Sequence, residues 1–144
     1  MSLGNLVWQD RDNSGTVNNG ELPFAGIAVE LFRDANDDGT PDGAAIATQT
    51  TNAGGNYLFA ELVPDNYLVC INAPADWISS SGSGLRYGTP GANEPAADPD
   101  NDVNGNDDGS AGSPATRICA RGVTLALQNE PVDDGDANAN SNLS

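Results

Sequence analysis

The sequence predicts an all-β chain, an antiparallel β-sandwich carrying long calcium-binding loops. Three observations point there. Short runs rich in Val, Leu, Ile, Tyr and Phe recur along the chain, separated by Gly, Pro, Asn and Asp turn signals and free of helical periodicity. The segments between them are acidic and place oxygen-bearing side chains at alternate positions. One of these, Asp10 to Glu21, reads as a nearly complete twelve-position calcium loop, and it is flanked by strands rather than helices.

Charge narrows the function. There are 21 acidic residues, 5 arginines, no lysine and no histidine, for a net charge of −16 over 144 residues, the size of one ordinary domain. Nucleic acid and anionic membrane surfaces select basic patches, so both are poor partners. Two carboxylates about 4 Å apart repel by roughly 1 kcal/mol in water and about 4 kcal/mol at an effective dielectric of 20. Acid clustered this tightly needs cations, or it works against folding. No stretch is apolar enough or long enough to span a membrane. Met1-Ser2-Leu3 resembles an expression scar, which makes residues 4–144 a single domain excerpted from a longer protein.

The elements follow in order. Gly4 to Gln9 is a strand, with Val7 and Trp8 as its apolar bulk. In the loop after it, Asp10, Asp12, Ser14 and Asn18 stand at positions one, three, five and nine, each offering a side-chain oxygen. Gly15 is sixth, at the sharp turn. Thr16 is seventh, where a backbone carbonyl is the ligand, and Glu21 closes the loop with a carboxylate. Ile27, Val29 and Leu31 form the apolar face of the next strand. A second loop repeats the pattern with Asp34, Asn36, Asp38, Gly39, Thr40 and Asp42, but Ala45 stands where an acid should close it. The same residues also suit an Asn/Asp/Gly hairpin turn.

Ala45 to Thr51 and Asn56 to Leu62 read as strands, the latter with Tyr57 and Phe59 on one face. Val63 to Asn66 reads as a turn into a strand where Tyr67, Val69 and Ile71 share a face and Cys70 points the other way. Residues 75–114 form a long insertion rich in Gly, Ser, Pro, Asn and Asp. A structureless loop of that length is unusual in a compact domain. Within it, Asp98, Asp100, Asp102, Asn104, Asn106 and Asp108 repeat the alternate-oxygen pattern, again with no closing acid at Ala111. Metal would order it; a disordered acidic loop is the alternative. Ala115 to Leu127 is the last long strand, broken at Gly122, with Val123, Leu125 and Leu127 as its apolar row. Asp133 to Asn140 offers oxygens once more, or is a solvated tail. The cysteines, Cys70 and Cys119, suit either a disulfide in a calcium-rich extracellular setting or two small buried side chains.

Taken together, Gly4-Asn5-Leu6-Val7-Trp8-Gln9-Asp10, the loop through Glu21, Gly26-Ile27-Ala28-Val29, Thr51 to Phe59 and Leu62-Val63-Pro64-Asp65-Asn66-Tyr67 resemble the SdrD B-like domains of bacterial surface proteins, relatives of the Cna B-type repeats. The resemblance implies a prealbumin-like or immunoglobulin-like sandwich, standing in tandem in a cell-surface or secreted protein and binding structural calcium. Where relatives turn on Pro-Gly-x-Tyr this chain has Asp65 and Asn66, and the familiar last strand after Asn142-Leu143 is absent. With no lysine, a Lys–Asn isopeptide staple is excluded from its own side chains.

These residues bear on three functions. A calcium-stiffened spacer or stalk domain, monomeric and partnered by its neighbours in the same chain, uses the loops as they stand. A carbohydrate- or host-protein-binding module would use the insertion, with Trp77, Arg86 and Tyr87 as contacts. An enzyme lacks a histidine or lysine base, and no acid pair stands out from the metal-loop spacing.

Overall fold

A computed structural model of the chain describes residues 1–80, 107, 109–111 and 117–127. They form eight strands and no helix: β1 (Leu3–Leu6), β2 (Ala28–Arg33), β3 (Ala47–Thr50), β4 (Asn56–Phe59), β5 (Asp65–Asn72), β6 (Gly109–Ala111), β7 (Arg117–Ala120) and β8 (Val123–Leu125). Strands β1 and β4 pair in a two-stranded sheet; a six-stranded sheet runs β3-β2-β5-β7-β6, with β8 also paired to β5. Every pairing is antiparallel. All-β antiparallel architecture is as the sequence predicts.

β5 is central because both of its faces are apolar. Tyr67 and Val69 bury on one side with Val29, Leu31, Phe59 and Leu125, and Ile71 packs against them. Leu3, Val7 and Tyr57 join this cluster, so the two sheets face each other across it. Each fully buried Val, Leu or Phe contributes about 1.5–3 kcal/mol through lost apolar hydration. Leu68 and Cys70 point the other way and cluster with Phe32, Ala45 and Cys119. The Arg117 guanidinium lies 4.6 Å over the Phe32 ring and 3.7 Å from Glu30 Oε2. Cys70 and Cys119 are direct cross-strand partners and are joined by a disulfide.

One edge of β5 is shared by two strands. β7 pairs with its second half, Asn72 opposite Arg117, and β8 with its first, Tyr67 opposite Val123. The register slips by one residue between them, so Arg121-Gly122 carries one extra residue on that side, as in a β-bulge. Because side chains alternate with period two, the slip exchanges faces. Cys119 lies with the outer cluster, whereas Val123 and Leu125 turn to the inner core. The break read at Gly122 is therefore real.

Several boundaries move. The first strand ends at Leu6, and Trp8 makes only an isolated bridge to Pro23. Leu3 already belongs to it, and the Met1 amino group donates to Leu62 O at 3.0 Å. The strands expected over 45–51 and 56–62 shorten to β3 and β4, the lengths over which they have partners. Asp65 and Asn66 are not a turn. They open β5, held by Leu125 and Thr124 opposite and by the Asp34 N–H on Asn66 O at 3.1 Å. The left-handed residue before β5 is Glu61 instead, at φ 59°. Leu127 is 76% exposed and does not extend the apolar row, because β8 stops at Leu125.

Candidate metal centre

The loop after β1 winds around its first residue. Asp10 Oδ1 accepts the Ser14 N–H at 3.1 Å, and Oδ2 accepts the Gly15 N–H at 2.7 Å. Those bonds require a tight reversal, and Asn13 (φ 57°) and Gly15 (φ 73°) adopt the left-handed conformation that allows it. Glu21 closes the loop: Oε1 accepts the Arg11 N–H at 2.7 Å and Oε2 the Asn18 N–H at 3.2 Å. Asp12 Oδ2 accepts from Asn19 Nδ2 at 2.7 Å. Carboxylate oxygens of Asp10, Asp12 and Glu21 thereby come within 4.8 Å of one another, the one such acidic triad among the described residues. The nearest cation in sequence, Arg11, turns its guanidinium to Gln9 Oε1 at 3.0 Å. No ion pair among the described residues neutralises the triad.

Ser14, Thr16 and Asn18 complete the ring. Asn18 Nδ2 donates to Ser14 Oγ at 2.6 Å, and reaches Thr16 O and Thr16 Oγ1 at 3.1 Å each. Its Oδ1 is buried with no hydrogen-bond partner. An amide's two ends are assigned from such bonds, so the NH2 marks a position rich in acceptors. A half-turn of the amide would bring Oδ1 among those oxygens, where a cation would replace the lost donor. This orphaned oxygen and an all-oxygen donor set fit a hard cation of the calcium type.

Electrostatics at Asp10 agree. Burial alone would raise its carboxyl, but the Ser80 hydroxyl and the N–H groups of Gly15, Ser14 and Asn13 outweigh that and hold it below its ordinary value. The Ser80 bond, at 2.6 Å, comes from outside the loop, as does the Asp107 N–H that donates to Gly15 O at 2.7 Å. Neither could be read from the sequence, which carries no marker linking Ser80 to a loop seventy positions away.

The second loop makes the same turn. Asp34 Oδ1 and Oδ2 accept the N–H groups of Asp38 and Gly39 at 3.1 and 2.8 Å, and Asp37 and Gly39 have φ 54° and 73°. The closing acid expected at position twelve comes from position nine. Asp42 Oδ2 accepts the Ala35 N–H at 2.8 Å, the bond that Glu21 makes to Arg11. Ala45 instead packs against the outer cluster, which is why an apolar residue stands there. Asn36 Nδ2 donates to Asp38 Oδ2 at 2.9 Å and the Thr40 N–H to Asp38 Oδ1 at 2.9 Å. Asp34, Asp38 and Asp42 do not converge as the first triad does. The third group of candidates, Asp98, Asp100, Asp102, Asn104, Asn106 and Asp108, lies outside the described residues, as do Arg86, Tyr87 and the acidic tail. Trp77 stacks edge-on against Phe24 at 5.0 Å and helps line a cavity of about 400 Å³ beside the first loop, with Trp8, Asp10 and Asp76.

An acidic loop able to hold a metal ion, set between strands of an antiparallel β-domain, defines the class, and comparison with known proteins gives the family. The SdrD B-like domain family model matches residues 1–107, and the chain belongs to that family. It is similar to Colossin-A of Dictyostelium discoideum, 35% identical over 82 residues (57% of this chain, 1% of that protein). It is 36% identical over 74 residues to a fibrinogen-binding protein of Staphylococcus epidermidis (51% of this chain, 6% of that protein). Serine-aspartate repeat-containing protein D of Staphylococcus aureus is 34% identical over 73 residues (51% of this chain, 5% of that protein). The chain thus spans a small fraction of the relatives it matches.

Proposed function

We propose that this is a non-catalytic spacer or stalk domain of a multidomain surface or secreted bacterial protein, stiffened by calcium held in the loop from Asp10 to Glu21. The observation that carries this is the convergence of Asp10, Asp12 and Glu21, unneutralised by any ion pair among the described residues, in the same loop as the orphaned Asn18 oxygen. Asp10, Asp12, Ser14, Asn18 and Glu21 would supply side-chain oxygens and Thr16 its carbonyl. Bound calcium removes the mutual repulsion of the triad and ties Glu21 to Asp10, so the loop closed at its base by the Trp8–Pro23 bridge resists bending. On this reading the six candidates between Asp98 and Asp108 are further calcium ligands, and Asp34, Asn36, Asp38, Thr40 and Asp42 serve as the Asn/Asp/Gly turn that their sequence also suits. The setting is extracellular, where calcium is available, and the partners are neighbouring domains of the same chain, with 75–114 an insertion in one domain. Thermal melts in calcium and in chelator test it. At about a hundredfold above the dissociation constant, one site adds about 2.7 kcal/mol, and a melting point that ignores calcium removes the reading.

The cavity beside the loop favours a second reading, a carbohydrate- or protein-binding module in which Trp77, Arg86 and Tyr87 contact the ligand. Trp77 already forms part of the cavity wall. A glycan array in calcium buffer separates the two: Trp77-dependent binding supports the module, and a blank array leaves the spacer.

A further inference from the structure

Ser80 stands apart from the twelve-residue loop yet makes one of the shortest bonds to it. Its hydroxyl lies 2.6 Å from Asp10 Oδ2 and 3.2 Å from Asn13 Oδ1. A hydroxyl has one proton, and the shorter contact takes it. Oδ2 then carries two close donors, Ser80 Oγ and the Gly15 N–H at 2.7 Å, while the Ser14 N–H reaches Oδ1 at 3.1 Å and the Asn13 N–H also bonds this carboxylate. The oxygen that Ser80 does not hold is the one left for an ion. On the other side of the turn, the Asp107 N–H donates to Gly15 O at 2.7 Å, so two segments distant in sequence grip the same reversal. Next door, Ser79 is buried and donates to Gly109 O at 2.7 Å.

We propose that Ser80 is a positioning residue for the cation of the first loop: by fixing Asp10 Oδ2 it presents Oδ1 toward Asp12 and Glu21. This rests on the calcium reading above. Ser80 acts through Asp10 rather than as a ligand of the ion, a distinction that the count of waters on a bound ion reads. A partner that orients a ligating carboxylate commonly changes metal affinity by about 10–100-fold. Ser79, equally hydroxylic and one residue away, sets the control, because its bond serves β6 rather than the loop.

The test uses the full chain, with calcium by calorimetry and terbium as a luminescent stand-in excited through tryptophan. Trp8 lines the same cavity as Asp10, which places a donor near the ion. Ser80→Ala is expected to weaken calcium binding about tenfold while the number of waters on terbium, from lifetimes in light and heavy water, stays as in the unaltered protein. Ser80→Thr keeps the hydroxyl and is expected to restore affinity. Ser79→Ala is expected to lower the melting point and leave calcium affinity unchanged. Equal affinity in Ser80→Ala and the unaltered protein would overturn the proposal, as would an added terbium-bound water, which would make Ser80 a ligand. An unaltered protein that binds neither ion removes the calcium reading and this inference with it, whereas a failure confined to Ser80→Ala removes this inference alone.

Discussion

The first and second loops share a turn and differ in what the turn assembles. Each wraps its first aspartate around the N–H groups of the fifth and sixth residues, with left-handed residues at the fourth and sixth. Each uses an acid to hold the second N–H. In the first loop that acid is Glu21, whose longer side chain is reached three residues later and brings a third carboxylate to Asp10 and Asp12. In the second it is Asp42, and the carboxylates stay apart. The hub differs too. Asp34 is fully buried, whereas Asp10 keeps part of its surface open to solvent. The Asp-x-x-x-x-Gly pattern is thus a turn-forming device first. A metal centre needs the added closure and the strain of uncompensated charge.

That contrast can be broken in graded ways. The largest effect is expected from Asp34→Ala, which removes the fully buried carboxylate that holds the Asp38 and Gly39 N–H groups; about 2–4 kcal/mol of stability should go, measured by urea unfolding, and equally in calcium and chelator. Glu21→Gln should act the other way round. In chelator its unfolding midpoint should match or exceed that of the unaltered protein, since one like charge is gone, while in calcium the ion-dependent part, about 2.7 kcal/mol at a hundredfold excess, should vanish. Asp42→Asn should cost about 1 kcal/mol in either buffer, because it weakens a turn bond without opening a cation site. The smallest effect is on pH. The Asp10 carboxyl is depressed when folded, so the folded state holds fewer protons than the unfolded one; the stability this adds is present above the ordinary value of 3.8 and is lost as pH falls beneath it. Acid titration in chelator should show stability falling more steeply beneath that value, and Asp10→Asn should remove that added dependence.

How much of this was legible in the sequence follows from what each feature depends on. β2 and β5 could be read because alternation alone decides which residues face the core. The opposite facing of Cys70 from Tyr67 and Val69 followed from the same period, and the structure keeps it. The break at Gly122 was marked by glycine, but the one-residue slip that turns Val123 inward depends on pairing with β5. Asp65-Asn66 carries turn chemistry, yet long-range pairing with β8 overrides it. Within the first loop, the pattern named the residues the structure brings together. It could not name Ser80, because a bond across seventy positions leaves no periodic trace. Asp42 was visible as an acid, but its closing role was hidden by counting to position twelve.

The central claim is that the first loop, and not merely the chain's acidity, holds calcium. Calorimetric stoichiometry on the unaltered protein and on Glu21→Gln tests it most directly. The account predicts that Glu21→Gln loses one bound ion while Asp42→Asn keeps the loop's tightest site. An unchanged calcium count and affinity in Glu21→Gln would contradict it.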